Sequence, residues 1–282
     1  MITVFTPSYN RKEQLDYLYK SLLEQTERDF EWLIVDDGSS DNTRAFINTL
    51  ISENLINIRY IYKENGGKQS AYNLGLEEAG GDIFVCIDSD DILANSALNV
   101  ISNDFSFLEN DIAGIMYNQG YLNDKDKVIG SQFPSNLIDT YFNIYHKYQV
   151  KGDKLIVLKT SVARKFFFPI IEGEKFIPEA LIYNRISLNY KFQCKNLIIA
   201  YKEYLEDGYS ANYFDLVKKN PKGNALYYLE VYNLDHSLYN VYGYLLFSFM
   251  AHEKFKNIIK HPSKFKVLLI YIPVFIIYLV RR

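Results

Sequence analysis

Asp82-Ile83-Phe84-Val85-Cys86-Ile87-Asp88-Ser89-Asp90-Asp91-Ile92-Leu93 changes character in mid-course. Ile83 to Ile87 is an apolar run with the length and the β-branched and aromatic content of a buried strand. Three carboxylates follow within four residues. Like charges so close repel, so a fold keeps them where water or a cation neutralises them. A hard divalent cation suits them, because magnesium and manganese take oxygen ligands and share them with substrate phosphates. In open α/β sheets, ligands bind just beyond the carboxyl ends of the strands, where these carboxylates would stand. The competing reading is a solvated turn that caps the next helix.

The preceding residues set this strand in a series. Ile2 to Thr6 reads as a first strand stopped by Pro7, and Asn10 with Glu13 has the spacing of a capping box for a helix along Leu15, Leu18 and Leu22. Phe30 to Val35 is a second strand ending in Asp36-Asp37-Gly38-Ser39-Ser40-Asp41, followed by a helix from Asn42 to Ser52. Ile58 to Tyr62 is a third strand, followed by the glycine turn Asn65-Gly66-Gly67-Lys68 and a helix to Glu78. Such strand–helix alternation predicts a parallel, doubly wound sheet. The residues after its four strands (Thr6 and Tyr9, Asp36 and Asp37, Asn65 to Lys68, Asp88 to Asp91) then share one edge. There they form a cleft with a glycine turn and a lysine suited to phosphate, beside acidic groups. No GxGxxG follows the first strand and no GxxxxGK[ST] occurs, which disfavours a Rossmann dehydrogenase or a P-loop NTPase.

The 282 residues, 48% of them apolar, are enough for one large domain or a domain with an appendage. A net charge of −3 gives no electrostatic pull toward nucleic acid. The 25 tyrosines and 19 phenylalanines could stack on sugar rings, but core packing accounts for them as well. Two cysteines, Cys86 and Cys194, make no disulfide framework, and the four histidines have no metal-binding spacing. Met1 runs into a strand without a leader pattern, which sets the expectation of a cytoplasmic catalytic part.

Further strands are expected over Ala113–Leu122, Leu155–Leu158 and Phe192–Tyr201. Helices are expected over Asn136–Tyr148 and Ala180–Asn189, and a polar loop over 203–210. After Asn212 the chain reads as helical, with helices over Lys222–Asp235 and Leu238 to about Ile259. Its last apolar run, Val267 to Val280, is broken by Pro273 and is shorter than the ~20 residues that span a bilayer. Lys254, Lys256, Lys260, Lys264, Lys266, Arg281 and Arg282 flank it, a pattern that suits a helix lying on an anionic leaflet. The other reading packs this helix on the domain or on a second copy in a homodimer.

From Thr3 to about Ser210 the chain resembles the family 2 glycosyltransferases of the GT-A fold. The resemblance rests on Thr6-Pro7-Ser8-Tyr9-Asn10-Arg11, Val35-Asp36-Asp37-Gly38-Ser39-Ser40-Asp41, Asn65-Gly66-Gly67-Lys68 with Ala71-Tyr72-Asn73-Leu74-Gly75, and Asp88-Ser89-Asp90-Asp91, in family order and spacing. It is similar, in particular, to bacterial enzymes that build capsule, O-antigen and related surface polysaccharides. The implied fold is α/β, with a mostly parallel central sheet flanked by helices. Residues 1–211 would be catalytic (1–104 nucleotide-binding, 105–211 acceptor-binding) and 212–282 a helical, membrane-associating extension.

The resemblance also implies roles. Thr6, Tyr9 and Asp37 hold the nucleotide base, with Asp36 nearby, and Lys68 and Asn73 lie near ribose and diphosphate. Asp88-Ser89-Asp90 is the DxD motif: Asp90 ligates Mn2+ or Mg2+, Asp88 contacts sugar or ribose hydroxyls beside the metal, and Asp91 assists. The family's catalytic base precedes a helix, which puts Glu179 in that role although the usual Glu-Asp pair is absent. Glu174, Asp153 and Asp207 are the fallback candidates. The QxxRW signature of processive polymerases is missing, which implies single-sugar transfer. The implied reaction is inverting transfer from a UDP-sugar to a lipid-linked oligosaccharide at the inner face of the cytoplasmic membrane. The alternative is a sugar-1-phosphate nucleotidyltransferase.

Overall fold

A computed structural model of the chain describes residues 1–202 and 213–280. The strands are β1 (Ile2–Ser8), β2 (Phe30–Asp36), β3 (Ile58–Tyr62), β4 (Ile83–Cys86), β5 (Asp91–Leu93), β6 (Ile112–Tyr121), β7 (Asp124–Val128), β8 (Ile138–Asp139), β9 (Lys154–Lys159) and β10 (Lys191–Lys202). The helices are α1 (Lys12–Leu23), α2 (Thr43–Glu53), α3 (Lys68–Glu78), α4 (Ala97–Phe105), α5 (Tyr141–His146), α6 (Thr160–Ala163), α7 (Ala180–Ile186), α8 (Tyr213–Lys219), α9 (Pro221–Asp235), α10 (Leu238–Met250), α11 (Phe255–Ile258) and α12 (Lys264–Val280). Two units can be distinguished: residues 1–167 with 185–203, and residues 168–184 with 204–282.

The first unit is an α/β sheet in the order β3-β2-β1-β4-β9-β6-β10-β5. β3, β2, β1 and β4 run parallel, as the alternation of strands and helices requires, so their carboxyl ends share one edge. β9 joins antiparallel between β4 and β6, and β10 pairs parallel with β6. β2 is enclosed along its whole length, which explains the apolar run Trp32 to Val35; Glu31, near its start, is buried with it. Leu15, Leu18 and Leu22 recur at helical spacing on α1 and are fully buried in the same core cluster as Val4, Trp32 and Val85. Each such leucine contributes about 1.5–3 kcal/mol of transfer free energy.

Local readings differ from the structure at four points. The helix expected over Asn136–Tyr148 is confined to α5, because Ile138 and Asp139 pair with β10 as β8. β1 does not stop at Pro7 but continues to Ser8, with Pro7 opposite Val35. Ile87 N donates to Phe5 O, so alternate residues of β1 bond toward β4. Pro7 falls on that side beyond the end of β4, where no ladder donor is needed. Asn10 does not cap α1: it adopts φ +52°, and the N-cap is Arg11, which makes no side-chain cap bond. Lastly, the helix expected from Leu238 to Ile259 ends at Met250. There His252 enters the left-handed region (φ +55°) and Glu253 N closes back on Ser248 O.

The second unit is helical over its C-terminal part. Val241, Leu245 and Phe249 of α10 form a buried cluster with Tyr232, Ile258, Val267 and Val274. Within the same unit, the side chain of Glu174 caps the start of α9, accepting from Lys222 N and Gly223 N at 2.7 Å each. The loop expected over 203–210, the fallback residue Asp207, and Arg281 and Arg282 lie outside the described residues.

Candidate active site

The loops that leave β1 to β4 are tied together before any ligand is considered. Asn10 Oδ1 accepts from Ser40 N at 2.8 Å, and Asn10 N donates to Ser39 Oγ at 2.8 Å, joining the first loop to the second. Asp36 is fully enclosed and accepts from Ser39 N at 2.8 Å and Tyr60 Oη at 2.5 Å. Asp37 organises the glycine turn: Oδ1 accepts from Lys63 Nζ (2.6 Å) and Gly66 N (2.9 Å), and Oδ2 from Gly67 N (2.7 Å). Gly38 and Gly67 have φ +86° and +89°, and a Cβ on Gly38 would come within 2.8 Å of Asn65 N. Glycine is thus required at Gly38 both by backbone conformation and by close approach. Thr6, expected at the base, is fully enclosed, and its hydroxyl accepts from Trp32 Nε1 at 3.0 Å. Tyr9, by contrast, is 51% exposed at the mouth of these loops.

The carboxylates after β4 stand against two lysines. Lys68, the first residue of α3, places Nζ 2.5 Å from Asp88 Oδ1. Lys202, at the end of β10, lies 3.9 Å from Asp88 Oδ2 and 3.3 Å from Asp153 Oδ2. Burial works against the charged form of Asp88, but Lys68 and then Lys202 outweigh it and hold its carboxyl below the usual range. Asp90 is pushed up, by burial first and then by Asp88. Asp91 is pushed well above the ordinary carboxylate range, again mainly by burial; Lys202 opposes the shift, and Asp88 and Asp90 add to it. Asp91 Oδ2 accepts from Gln119 Nε2 at 3.1 Å, while its buried Oδ1 has no hydrogen-bond partner. Ser89 is buried, and Asn73 is half-buried on α3.

Lys202 is the member of this cluster that sequence reading missed. It lies 114 residues beyond Asp88, at the end of β10, just past the apolar stretch Leu197 to Tyr201. No local pattern marks it, since β10 also carries Lys191 and Lys195.

Among the described residues, no three acidic, histidine or cysteine side chains converge into a ready-made metal cage. The donor set still fits a hard divalent cation of the shared kind, which takes one or two carboxylates and completes its shell with substrate phosphates and water. Asp88, Asp90 and Asp91 set three carboxyl groups against Lys68 and Lys202, and the buried Asp91 Oδ1 among them has no hydrogen-bond partner.

Glu179 belongs to the second unit, half-buried immediately before α7. Of the fallback candidates, Glu174 is committed to capping α9, and Asp153 is committed to Lys202 in the first unit.

The family model for glycosyl transferase family 2 matches residues 3–167. The Escherichia coli UDP-Glc:alpha-D-GlcNAc-diphosphoundecaprenol beta-1,3-glucosyltransferase WfaP is 28% identical over 221 residues, covering 78% of this chain and 84% of WfaP. An uncharacterized glycosyltransferase of Nostoc is 34% identical over 128 residues, 45% of this chain, and the match spans only 39% of that relative's length. S. aureus TarS 1-349 in complex with UDP-GlcNAc superposes with TM-score 0.62 at 19% identity, covering 97% of this chain and 79% of that one. The Pyrobaculum calidifontis mannosyltransferase PcManGT, in complex with GDP-Man and Mn2+, does so with TM-score 0.59 at 16% identity, covering 98% and 79%. These superpositions identify the fold as GT-A. With the family model matching more than half of its length, the chain belongs to glycosyl transferase family 2 and is a glycosyltransferase.

Proposed function

We propose that this enzyme transfers a single sugar, with inversion and metal dependence, from a UDP-sugar to a hydroxyl of a lipid-linked glycan in cell-surface polysaccharide synthesis. The observation that carries the reading is the meeting, at one edge of a parallel sheet, of the Asp37-braced glycine turn, Lys68 and the Asp88–Asp91 carboxylates. The names of WfaP and of the TarS complex support a UDP-sugar donor, and that of WfaP supports a diphosphate-lipid acceptor. The reaction would then take place at the inner face of the cytoplasmic membrane. The alternative of a sugar-1-phosphate nucleotidyltransferase is not favoured by family membership.

In this reading the exposed ring of Tyr9 packs on uracil. Asp37 Oδ1 already accepts two hydrogen bonds and Oδ2 one, and a carboxylate has about four acceptor sites, which leaves one for uracil N3–H. Thr6 and Asp36 support these groups from inside the sheet, and Asn73 and Ser89 face ribose and diphosphate. Lys68 exchanges part of its pairing with Asp88 for the diphosphate, freeing Asp88 for donor hydroxyls. Asp90, with Asp88, would hold a manganese or magnesium ion, whose charge offsets that developing on the diphosphate as the glycosidic bond breaks. Glu179 accepts the proton of the acceptor hydroxyl as its oxygen bonds to the anomeric carbon from the face opposite the leaving UDP.

A donor screen tests this. UDP release and a rise in melting temperature are expected with at least one UDP-sugar in Mn2+, and an inverted anomer in the product NMR spectrum. Equal release after EDTA treatment would remove the metal from the proposal. Pyrophosphate release from UTP and a sugar phosphate would replace it with the nucleotidyltransferase.

A further inference from the structure

The 17-residue helix α12 is apolar on two opposite sides, and the structure covers only one of them. Val267 and Val274, seven residues apart, are buried in the cluster built on Val241, Leu245 and Phe249 of α10. Tyr271 and Phe275 meet the edge of Phe249 at ring-centroid distances of 5.0 and 5.3 Å. Away from that contact, Phe265, Leu268, Leu269, Ile272, Ile276 and Leu279 are each more than half exposed. Their spacing of three and four residues makes them one stripe along the helix. Phe255, itself 48% exposed, stands edge-on to Tyr271 beside it. Scattered exposed leucines need no explanation, but a continuous stripe of large apolar side chains marks a surface that meets something.

The charges around the stripe say what it meets. From Lys254 to Arg282 the sequence holds seven basic residues and no acidic one, although the whole chain has net charge −3. Lys254, Lys256, Lys260 and Lys264 are exposed. A second copy docking through this end would set two such clusters against each other, whereas an anionic surface is complementary to it. Depth is limited as well. The apolar part, Val267 to Val280, is about 21 Å long at helical rise, short of the roughly 30 Å hydrocarbon layer. No helix among the described residues is long and apolar enough to cross a membrane. Pro273 lies within the helix and is exposed, and its missing N–H deprives the Leu269 carbonyl of its helical donor. That carbonyl can be hydrated in the headgroup region but not in hydrocarbon.

We propose that α12 is a membrane-docking helix that lies in the headgroup region of an anionic leaflet, with the Phe265–Leu279 stripe in the acyl boundary and the lysines on lipid phosphates. This extends the lipid-linked acceptor of the proposed function, but it is tested without any acceptor or donor. The full chain would be sedimented with vesicles of equal parts phosphatidylcholine and phosphatidylglycerol, and with phosphatidylcholine alone. Binding to the mixed vesicles is expected, weakened about tenfold or more by Ile272→Glu, by combined Lys254→Glu and Lys256→Glu, by high salt, and by omission of phosphatidylglycerol. Donor hydrolysis and melting temperature of Ile272→Glu should match wild type, since its side chain faces outward. Equal pelleting of wild type and Ile272→Glu, or no pelleting of either, would overturn the proposal. So would a wild-type dimer in solution that Ile272→Glu converts to monomer without any vesicle binding. Loss of donor hydrolysis in wild type with vesicle binding intact would instead count against the glycosyl-transfer reading alone.

Discussion

Glu31 and Asp91 are equally enclosed carboxylates of one sheet, 2% and 3% exposed, at opposite ends of its strands. Glu31 lies near the start of β2, opposite the carboxyl ends of the parallel strands, and is fully supplied by its own chain: Thr3 Oγ1 at 2.6 Å, Gly80 N at 2.5 Å and Arg59 Nη1 at 3.1 Å. Arg59 is anchored in turn by Glu78 at 2.9 Å. Asp91 has one side-chain donor, Gln119, a second oxygen without a partner, and Asp88 and Asp90 as close neighbours. The first is a structural ion pair; the second is part of a cluster short of positive charge. A fold tolerates such a deficit where a ligand makes it up, and the stability lost there is the cost of function.

The largest expected effect falls on the deficient side. Asp90→Ala should lower UDP release about a thousandfold or more, the several kcal/mol that charge neutralisation supplies. Its melting temperature should equal or exceed that of wild type, because a repelling charge has been removed. A drop in melting temperature would show Asp90 to be as structural as Glu31 and break the contrast. On the satisfied side, Glu31→Ala should lose about 3 kcal/mol of stability in urea titration, since Thr3, Gly80 and Arg59 lose their acceptor together. Donor affinity should stay unchanged in that variant while it is folded.

A smaller effect is expected at Lys202, whose ammonium form is favoured by Asp91, Asp88 and Asp153 against the effect of burial. Lys202→Met should raise the donor KM about tenfold, worth roughly 1.4 kcal/mol, with recovery in Lys202→Arg. Initial rates of UDP release against donor concentration measure both. An unchanged KM would leave Lys68 as the sole cation in play at Asp88.

The smallest effect separates an unpaired atom from a ligand site. His261 is buried with Nε2 unpartnered, but it lies against the rings of Tyr232 and Tyr244 at 4.5 and 4.9 Å, and Nδ1 accepts from Ser263 N at 3.0 Å. Burial lowers its pKa from 6.5, and Lys266 adds to this. The unfolded chain therefore binds the proton more readily. His261 weakens the fold as pH falls below about 6.5 and has no such effect above it. Thermal melts between neutral and mildly acid pH should show this slope in wild type and a shallower one in His261→Phe. Identical slopes would remove His261 as its source.

Reading along the chain recovers whatever is encoded within a few residues. β2 is legible through Trp32 to Val35 and β4 as an unbroken apolar run, α1 through Leu15, Leu18 and Leu22, and the glycine turn through two adjacent glycines ahead of Lys68. Asn10 was misread because its partner is Ser40, thirty residues away, and not the turn that follows it. Pro7 was misread because a proline ends a strand only where the neighbouring strand still needs its N–H. Glu174 accepts from two backbone donors of α9, a contact across 48 and 49 residues that no local pattern signals.

Periodicity, turn residues and the order of strands and helices are local properties, and they sufficed to bring the ends of β1 to β4 to one edge and to flag the basic, apolar tail. Which carboxylates are neutralised is a different matter. It depends on charges brought together from distant positions, Arg59 to Glu31 and Lys202 to Asp88, and a Coulomb interaction falls with distance in space, not along the chain. Only the folded arrangement could separate the acid that is fully paired, Glu31, from Asp91, which keeps an unpartnered oxygen.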